Sequence, residues 1–249
     1  MMPMSRHLLP LLLVMPSLAW AAPARAPEPV PSAAAQMFVQ LETGDWRNWI
    51  EKAEALDYLS RYDVPNAGPA VQKILDDAHP NNRWLKGQAV IAMARINPDG
   101  AAALAKSHAG DPHVEVRAAV AQVCADLTKA QATPILEKLF ADKTPAIQFA
   151  ALASYAQHHG EKAWAKAETI TAKIPDNAIQ PAARALAWVG NDPALARLRE
   201  HIAQGKHVHE ILTGLKGVTN PALASVYLDL LASSSDMTLL AGVWAQLKE

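Results

Sequence analysis

The sequence predicts an all-α fold, a right-handed α-solenoid of about six stacked layers of antiparallel helix pairs. Three observations predict it. A block reading V-R-A-A-V-A-Q-V-C-A-D-L from Val116 to Leu127 recurs, and with Arg117 as its marker the equivalent positions are Lys86, Gln148, Gln180, His209 and Thr238. The steps between them are 31, 31, 32, 29 and 29 residues. Each copy carries the same apolar helix face, and no comparable run alternates with period two, so no sheet is expected. One helix pair of this length cannot bury its own apolar face, so each pair has to stack on the next.

The elements follow in chain order. Residues 1–21 read as a signal peptide, with Arg6 and His7 before an apolar run from Leu8 to Leu18 and Ala19-Trp20-Ala21 at the expected cleavage point. That run is too short to span a bilayer comfortably. Residues 22–40 read as a Pro/Ala-rich disordered linker, because A-P-A-R-A-P-E-P-V-P-S-A-A-A has four prolines and no apolar period. Residues 41–249 are expected to form the solenoid. Helices between Trp46 and Ala78 continue the pattern out of register with the markers.

From there the marker helices are explicit. Val116, Ala119, Val120, Val123 and Leu127 step by three and four, and the same face returns at Ile147, Ala150, Ala151 and Ser154. It returns again at Ile179, Ala182, Ala183 and Leu186, and at Val208, Ile211, Leu212 and Leu215. The alanines allow neighbouring helices to approach closely. Second helices lie between the markers, one with Leu136, Leu139 and Phe140, one with Leu195, Leu198 and Ile202, and one with Leu223, Val226, Tyr227 and Leu230. Asp192-Pro193 and Asn220-Pro221 place a capping residue before a first-turn proline, as Asp111-Pro112 and Thr144-Pro145 do for two marker helices. A last helix, Met237 to Leu247, repeats the marker pattern without a partner and is either a cap or an incomplete repeat.

The segment D-P-H-V-E-V-R resembles the inter-helix turn of HEAT repeats of the short bacterial kind. That resemblance implies an Asp in the turn and an Arg six residues later on the second helix, and Asp111 and Arg117 match both. Asp142 keeps the Asp while Gln148 replaces the Arg, and the copies marked by Lys86, Gln180 and His209 lack the Asp. The resemblance covers roughly residues 80 to 249. Tetratricopeptide repeats fit less well, because their period is about 34 residues and their aromatic positions are not met.

Composition narrows the function. There are 23 Lys and Arg against 24 Asp and Glu, a net charge of −1, and removal of Arg6 with the leader makes it −2. Such a surface has no general affinity for nucleic acid or anionic membranes. Cys124 is the single cysteine, so no intramolecular disulfide forms, and its place in the apolar block makes it a core residue rather than a nucleophile. His207, His209 and Glu210 are the densest group of metal-ligand types, but two histidines two residues apart on a helix diverge. The HEAT-like deoxyhypusine hydroxylases bind iron through several His-Glu dipeptides, of which this chain has one, His209-Glu210; bilin lyases share the short repeats, but no tetrapyrrole pocket is specified here. His158-His159-Gly160 reads as ordinary helix capping. Trp46 and Trp49 are placed at the end of the core, and Trp84, Trp164, Trp188 and Trp244 on helices as packing residues.

No phosphate loop, nucleophile elbow or zinc motif is present, so no catalytic residue, metal or cofactor is expected. In HEAT proteins the second helices line the concave surface. The positions on those helices that leave the apolar face are Arg95, Gln122, Asp126, Gln157, Arg184 and Trp188, a mixed polar row suited to a protein or peptide segment. The expected function is thus a non-catalytic, periplasmic or secreted scaffold that holds a protein or peptide partner, with no nucleic acid and no stable membrane insertion after leader cleavage. The alternatives are a regulatory or structural subunit of an exported enzyme complex, which an exposed apolar patch at one end would favour, and a metal-dependent enzyme on the same scaffold.

Overall fold

The computed structural model describes residues 31–42, 49–62, 64–77 and 83–233, with Ala241 and Val243 beyond them. The expected signal peptide, the linker up to residue 30, Trp46, and most of the last helix with Thr238 and Trp244 lie outside the described residues. Helices α1 (Pro31–Glu42), α2 (Trp49–Arg61) and α3 (Ala67–Asp76) come first. Next are α4 (Arg83–Ile96), α5 (Ala101–His108), α6 (Val114–Val123), α7 (Lys129–Phe140) and α8 (Pro145–His159). The series continues with α9 (Trp164–Ile170), α10 (Ile179–Val189), α11 (Asp192–Ala203), α12 (Val208–Leu215) and α13 (Leu223–Ser233). No strand occurs among the described residues.

The marker period sets the helix starts. Arg83, Val114 and Pro145 open α4, α6 and α8, so Lys86, Arg117 and Gln148 each sit at the fourth helical position. The even-numbered helices form one continuous row, α2 on α4, α4 on α6, α6 on α8, α8 on α10 and α10 on α12. The odd-numbered helices flank this row and touch one another far less, chiefly at α5 against α7 and α11 against α13. Together they make an all-α solenoid. Close approach in the even row has a local cause. Gly87 lies where an added Cβ would stand 2.9 Å from the Glu115 carbonyl oxygen, and at Gly214 the same atom would stand 2.4 Å from that of Gln180.

Four expectations need correction. The linker does not extend to residue 40, because the chain is helical from Pro31: Ala34 and Leu41 are buried and Met37 and Phe38 pack on the core. Proline at the first helical position is compatible with a helix start, and the alanines after it are strong helix formers. Asp111 does not cap α6, since Pro112 precedes the helix and His113 is its N-cap residue; the Asp111 carboxylate instead accepts the His113 backbone N–H at 2.8 Å, closing the turn. Likewise α11 is capped by Asn191, which accepts from the Ala194 N–H at 3.1 Å, with Asp192 already in the first turn. Asn220-Pro221 precedes α13 rather than opening it; the Asn220 carboxamide accepts the Ala222 N–H and donates to the Ala187 carbonyl, tying this turn to α10.

The core forms two clusters. The first runs from Ala34 to Ala151 and the second from Phe149 to Val243, so α8 contributes to both. Phe149, Leu152, Leu186 and Leu215 are among the fully buried side chains, and burial of each contributes about 1.5–3 kcal/mol. Cys124 is fully buried, and desolvation pushes its thiol up to about 12, so it stays protonated and packs as a small apolar group.

Candidate functional site

Repeat-to-repeat hydrogen bonds position the surface. Arg117 on α6 bridges two turns: its Nε and Nη2 donate to the Asp142 carboxylate at 2.5 and 3.1 Å, and its Nη1 donates to the carbonyls of Asp111 and Pro112. This bidentate geometry uses the planar guanidinium fully. Burial alone would raise the Asp142 carboxyl, but the Arg117 bonds and the Thr144 N–H outweigh it and hold the group below its usual range. Gln148, in the Arg117 position one repeat later, donates to the Asp142 carbonyl at 2.7 Å. It keeps the bond within its own turn and gives up the bond to the next, where Ile174 replaces the Asp.

Deeper in the stack, Ser154 Oγ donates to the Ala121 carbonyl at 2.6 Å and His158 Nε2 lies 2.8 Å from the Cys124 carbonyl. These bonds fix α8 against α6. With α6, α8 and α10 held in register, their exposed positions line up.

Arg95, Asp126 and Gln157 fall 31 residues apart, each nine residues after its marker, near the C-terminal ends of successive even helices, and Trp188 lies one position off this register near the end of α10. Gln122 and Gln157 are exposed. Asp126 also reaches water, yet the surrounding atoms displace enough solvent to push its carboxyl up to about 7, while Arg95 pulls the other way. The structure therefore brings Asp126 and Arg95 into one electrostatic neighbourhood. Arg95 itself is half-buried, and its Nη1 donates to Asp57 Oδ1 at 3.1 Å and to Ser60 Oγ at 3.2 Å on α2.

Arg184 and Trp188, both on α10, are tied into the packing. Arg184 donates from Nη2 to the Lys216 carbonyl at 2.9 Å, and burial lowers its basicity. Trp188 packs on the second cluster, and its indole Nε1 is buried without a hydrogen-bond partner. Both residues thus serve the α10–α12 contact as well as the surface. The Asp57 and Ser60 partners of Arg95 escaped the sequence reading, because they lie 38 and 35 residues away, outside the 31-residue register.

The histidine group at α12 does not converge. His207 is the N-cap residue with φ 56°, and its ring nitrogens lie 3.7 Å from Asp176 and from Glu210, while His209 is exposed on the next turn. Among the described residues, no three His, Cys, Asp or Glu side chains are grouped to hold a metal ion. Among the described residues, two open grooves lie on the surface. One runs between Asn191 and Leu195 of α11 and Pro221 to Ser225 at α13.

Residues 81–156 match the family model of HEAT repeats. The matched span begins just before α4 and ends within α8, so it contains the Asp111–Arg117 turn and the Arg117–Asp142 bridge. The match supports the HEAT-repeat family for this chain and a helical scaffold or protein-interaction role. No curated protein and no solved structure shows significant similarity to the chain. No helix among the described residues is long and apolar enough to cross a membrane.

Proposed function

We propose that the protein is a non-catalytic, exported scaffold that holds a protein or peptide segment along the inner wall of its even-numbered helices. The observation that carries this reading is the register of Arg95, Asp126 and Gln157, one side chain per repeat, flanked by exposed Gln122. A stack whose even row is packed more closely than its odd row bends toward the even row, which makes that row the inside of the curve. A wall of this kind presents spaced polar groups and no deep pocket, which suits an extended protein surface better than a small molecule.

The test is affinity capture from the cells that make the protein. The bait pair is wild type and the double variant Gln122→Arg, Gln157→Arg, with Lys138→Glu on α7 as a control. The reading expects one partner band that the double variant loses and the control keeps. Equal recovery by all three baits contradicts the placement. Export is tested separately by N-terminal sequencing of the mature protein, which is expected to start at Ala22; a chain that retains its first residues contradicts it.

A second reading, a subunit fixed permanently to an exported enzyme, is favoured by one observation. Val39, Trp49 and Ile50 on α1 and α2 are large apolar side chains left exposed at the N-terminal end of the stack. An interface there would cover them. This reading expects a stoichiometric complex whose recovery depends on Trp49 and Ile50 rather than on Gln157.

A further inference from the structure

The two core clusters meet within α8. Ile147 and Ala151 belong to the first, and Phe149, Leu152, Ala153 and Ala156 to the second. Two half-buried aromatic side chains, Phe140 of α7 and Tyr155 of α8, pack against both clusters. They form the seam between the halves of the solenoid. Phe140 meets the Tyr155 ring edge-on, with centroids 5.4 Å apart and planes at 71°. His159, one helical turn after Tyr155, stacks flat on it, with centroids 3.8 Å apart and planes at 7°. Lys166 of α9 places its ammonium 5.2 Å from the Phe140 centroid and 5.8 Å from that of Tyr155.

His159 is the odd member of this group. Its Nε2 is buried and has no hydrogen-bond partner, which is tolerable for an unprotonated ring nitrogen and costly for an N–H of a charged ring. The charged groups that face it are Lys129 from α7, His158 from α8, Lys162 from the 3-10 turn Gly160–Ala163, and Lys166 from α9. Three of the four are lysine ammonium groups. Of the carboxylates on these elements, Glu137 of α7 is held by Lys166 at 3.3 Å, and Glu161 of the 3-10 turn and Glu168 of α9 are exposed to water. On the other helices packed against α8, Arg184 of α10 is tied to the Lys216 carbonyl, and Glu115 and Arg117 of α6 are tied to Arg83 and Asp142. Burial first, and then these cations, keep the His159 ring less basic than an ordinary imidazole.

We propose that the Tyr155–His159 stack is a pH-operated hinge, in which protonation of His159 loosens the aromatic seam and releases the turn 160–163 and α9 from α7 and α8, while each half keeps its own core. A proton on His159 adds a further cation beside the three lysines and puts an N–H where no acceptor stands. The opened seam exposes the ring to water and removes both penalties. Opening therefore takes up a proton, and it becomes easier as pH falls below the ordinary imidazole value of about 6.5. The proposal does not depend on the inner wall binding anything.

The test is amide hydrogen exchange on the full chain between pH 7.5 and 5.0, corrected for intrinsic rates, in wild type and in His159→Phe and His159→Gln. His159→Phe preserves a flat ring on Tyr155 without a titratable nitrogen, and His159→Gln carries the comparison if the first variant fails to fold. The expected result is that opening of residues 156–170 in wild type rises below about pH 6.5, by at most tenfold per pH unit, while α4 and α6 show no rise. In both variants the opening of 156–170 is flat with pH. A flat profile in wild type overturns the proposal, and so does a rise of the same size in the variants.

Discussion

Arg117 shows how much of this molecule rests on single polar side chains. It joins the turn before α6 to the turn before α8 through five hydrogen bonds, on a side chain that is 15% exposed against an Asp142 carboxylate that is 8% exposed. Removing one partner of such a pair leaves the other buried and uncompensated. Arg117→Ala is expected to cost about 3 kcal/mol in urea unfolding. Gln148→Ala, which loses a neutral donor to the Asp142 carbonyl, is expected to cost about 1 kcal/mol. Asp126 works in the other direction. Its carboxyl is raised from its ordinary value to about 7, so the folded chain holds a proton there that the unfolded chain has released. Stability attributable to this group is full below its unfolded value of about 4 and is lost as pH rises toward 7. Asp126→Asn therefore flattens the change in melting temperature between pH 4 and 7 and leaves the variant more stable than wild type at pH 8. An unchanged profile in the variant would show that the crowding around Asp126 has been misjudged.

At the scale of the helix, the close-packed even row is the main determinant. Gly214 faces the Gln180 carbonyl so directly that a Cβ would stand 2.4 Å from its oxygen. A backbone oxygen cannot swing aside, so Gly214→Ala forces α12 away from α10. The net loss is expected to be about 1–2 kcal/mol, overpacking outweighing the gain in helix propensity, and thermal unfolding measures it. The even helices were legible in the sequence for a physical reason: packing against two neighbours imposes the same small and apolar residues on each copy. The odd helices were legible only where they carry their own stripe, as α7, α11 and α13 do. For α9, a seven-residue helix with one buried residue, Ala167, the sequence offered only the placement of Trp164 on a helix. The start of the stack was misread because Pro31 resembles the prolines before it, although at a first helical position proline is a beginning rather than a break. Caps were misplaced by a residue or two where Asp-Pro closes a turn ahead of the helix, as at Asp111.

For the molecule as a whole, repeat register converts a one-dimensional period into a surface. Arg95, Asp126 and Gln157 keep one register because their helices do, and exposed Gln122 and Gln157 carry no packing contact that the structure assigns. Sequence reasoning found these positions by leaving the apolar face. It did not distinguish exposed amides from Arg95, Arg184 and Trp188, whose partners on α2, α12 and the second core come from elsewhere in the chain. The Tyr155–His159 seam was invisible for the same reason, since two residues four apart on a helix say nothing about which cores they separate. The central claim is that the even-row wall is the side that meets a protein partner. Site-specific photo-crosslinking in the cells that make the protein tests it most directly, with the probe at Gln122 or Gln157 and, for comparison, at exposed Gln131 on α7. The account predicts one protein adduct from both inner positions and none from Gln131; adducts from Gln131 alone, or equal adducts from all three, would contradict it.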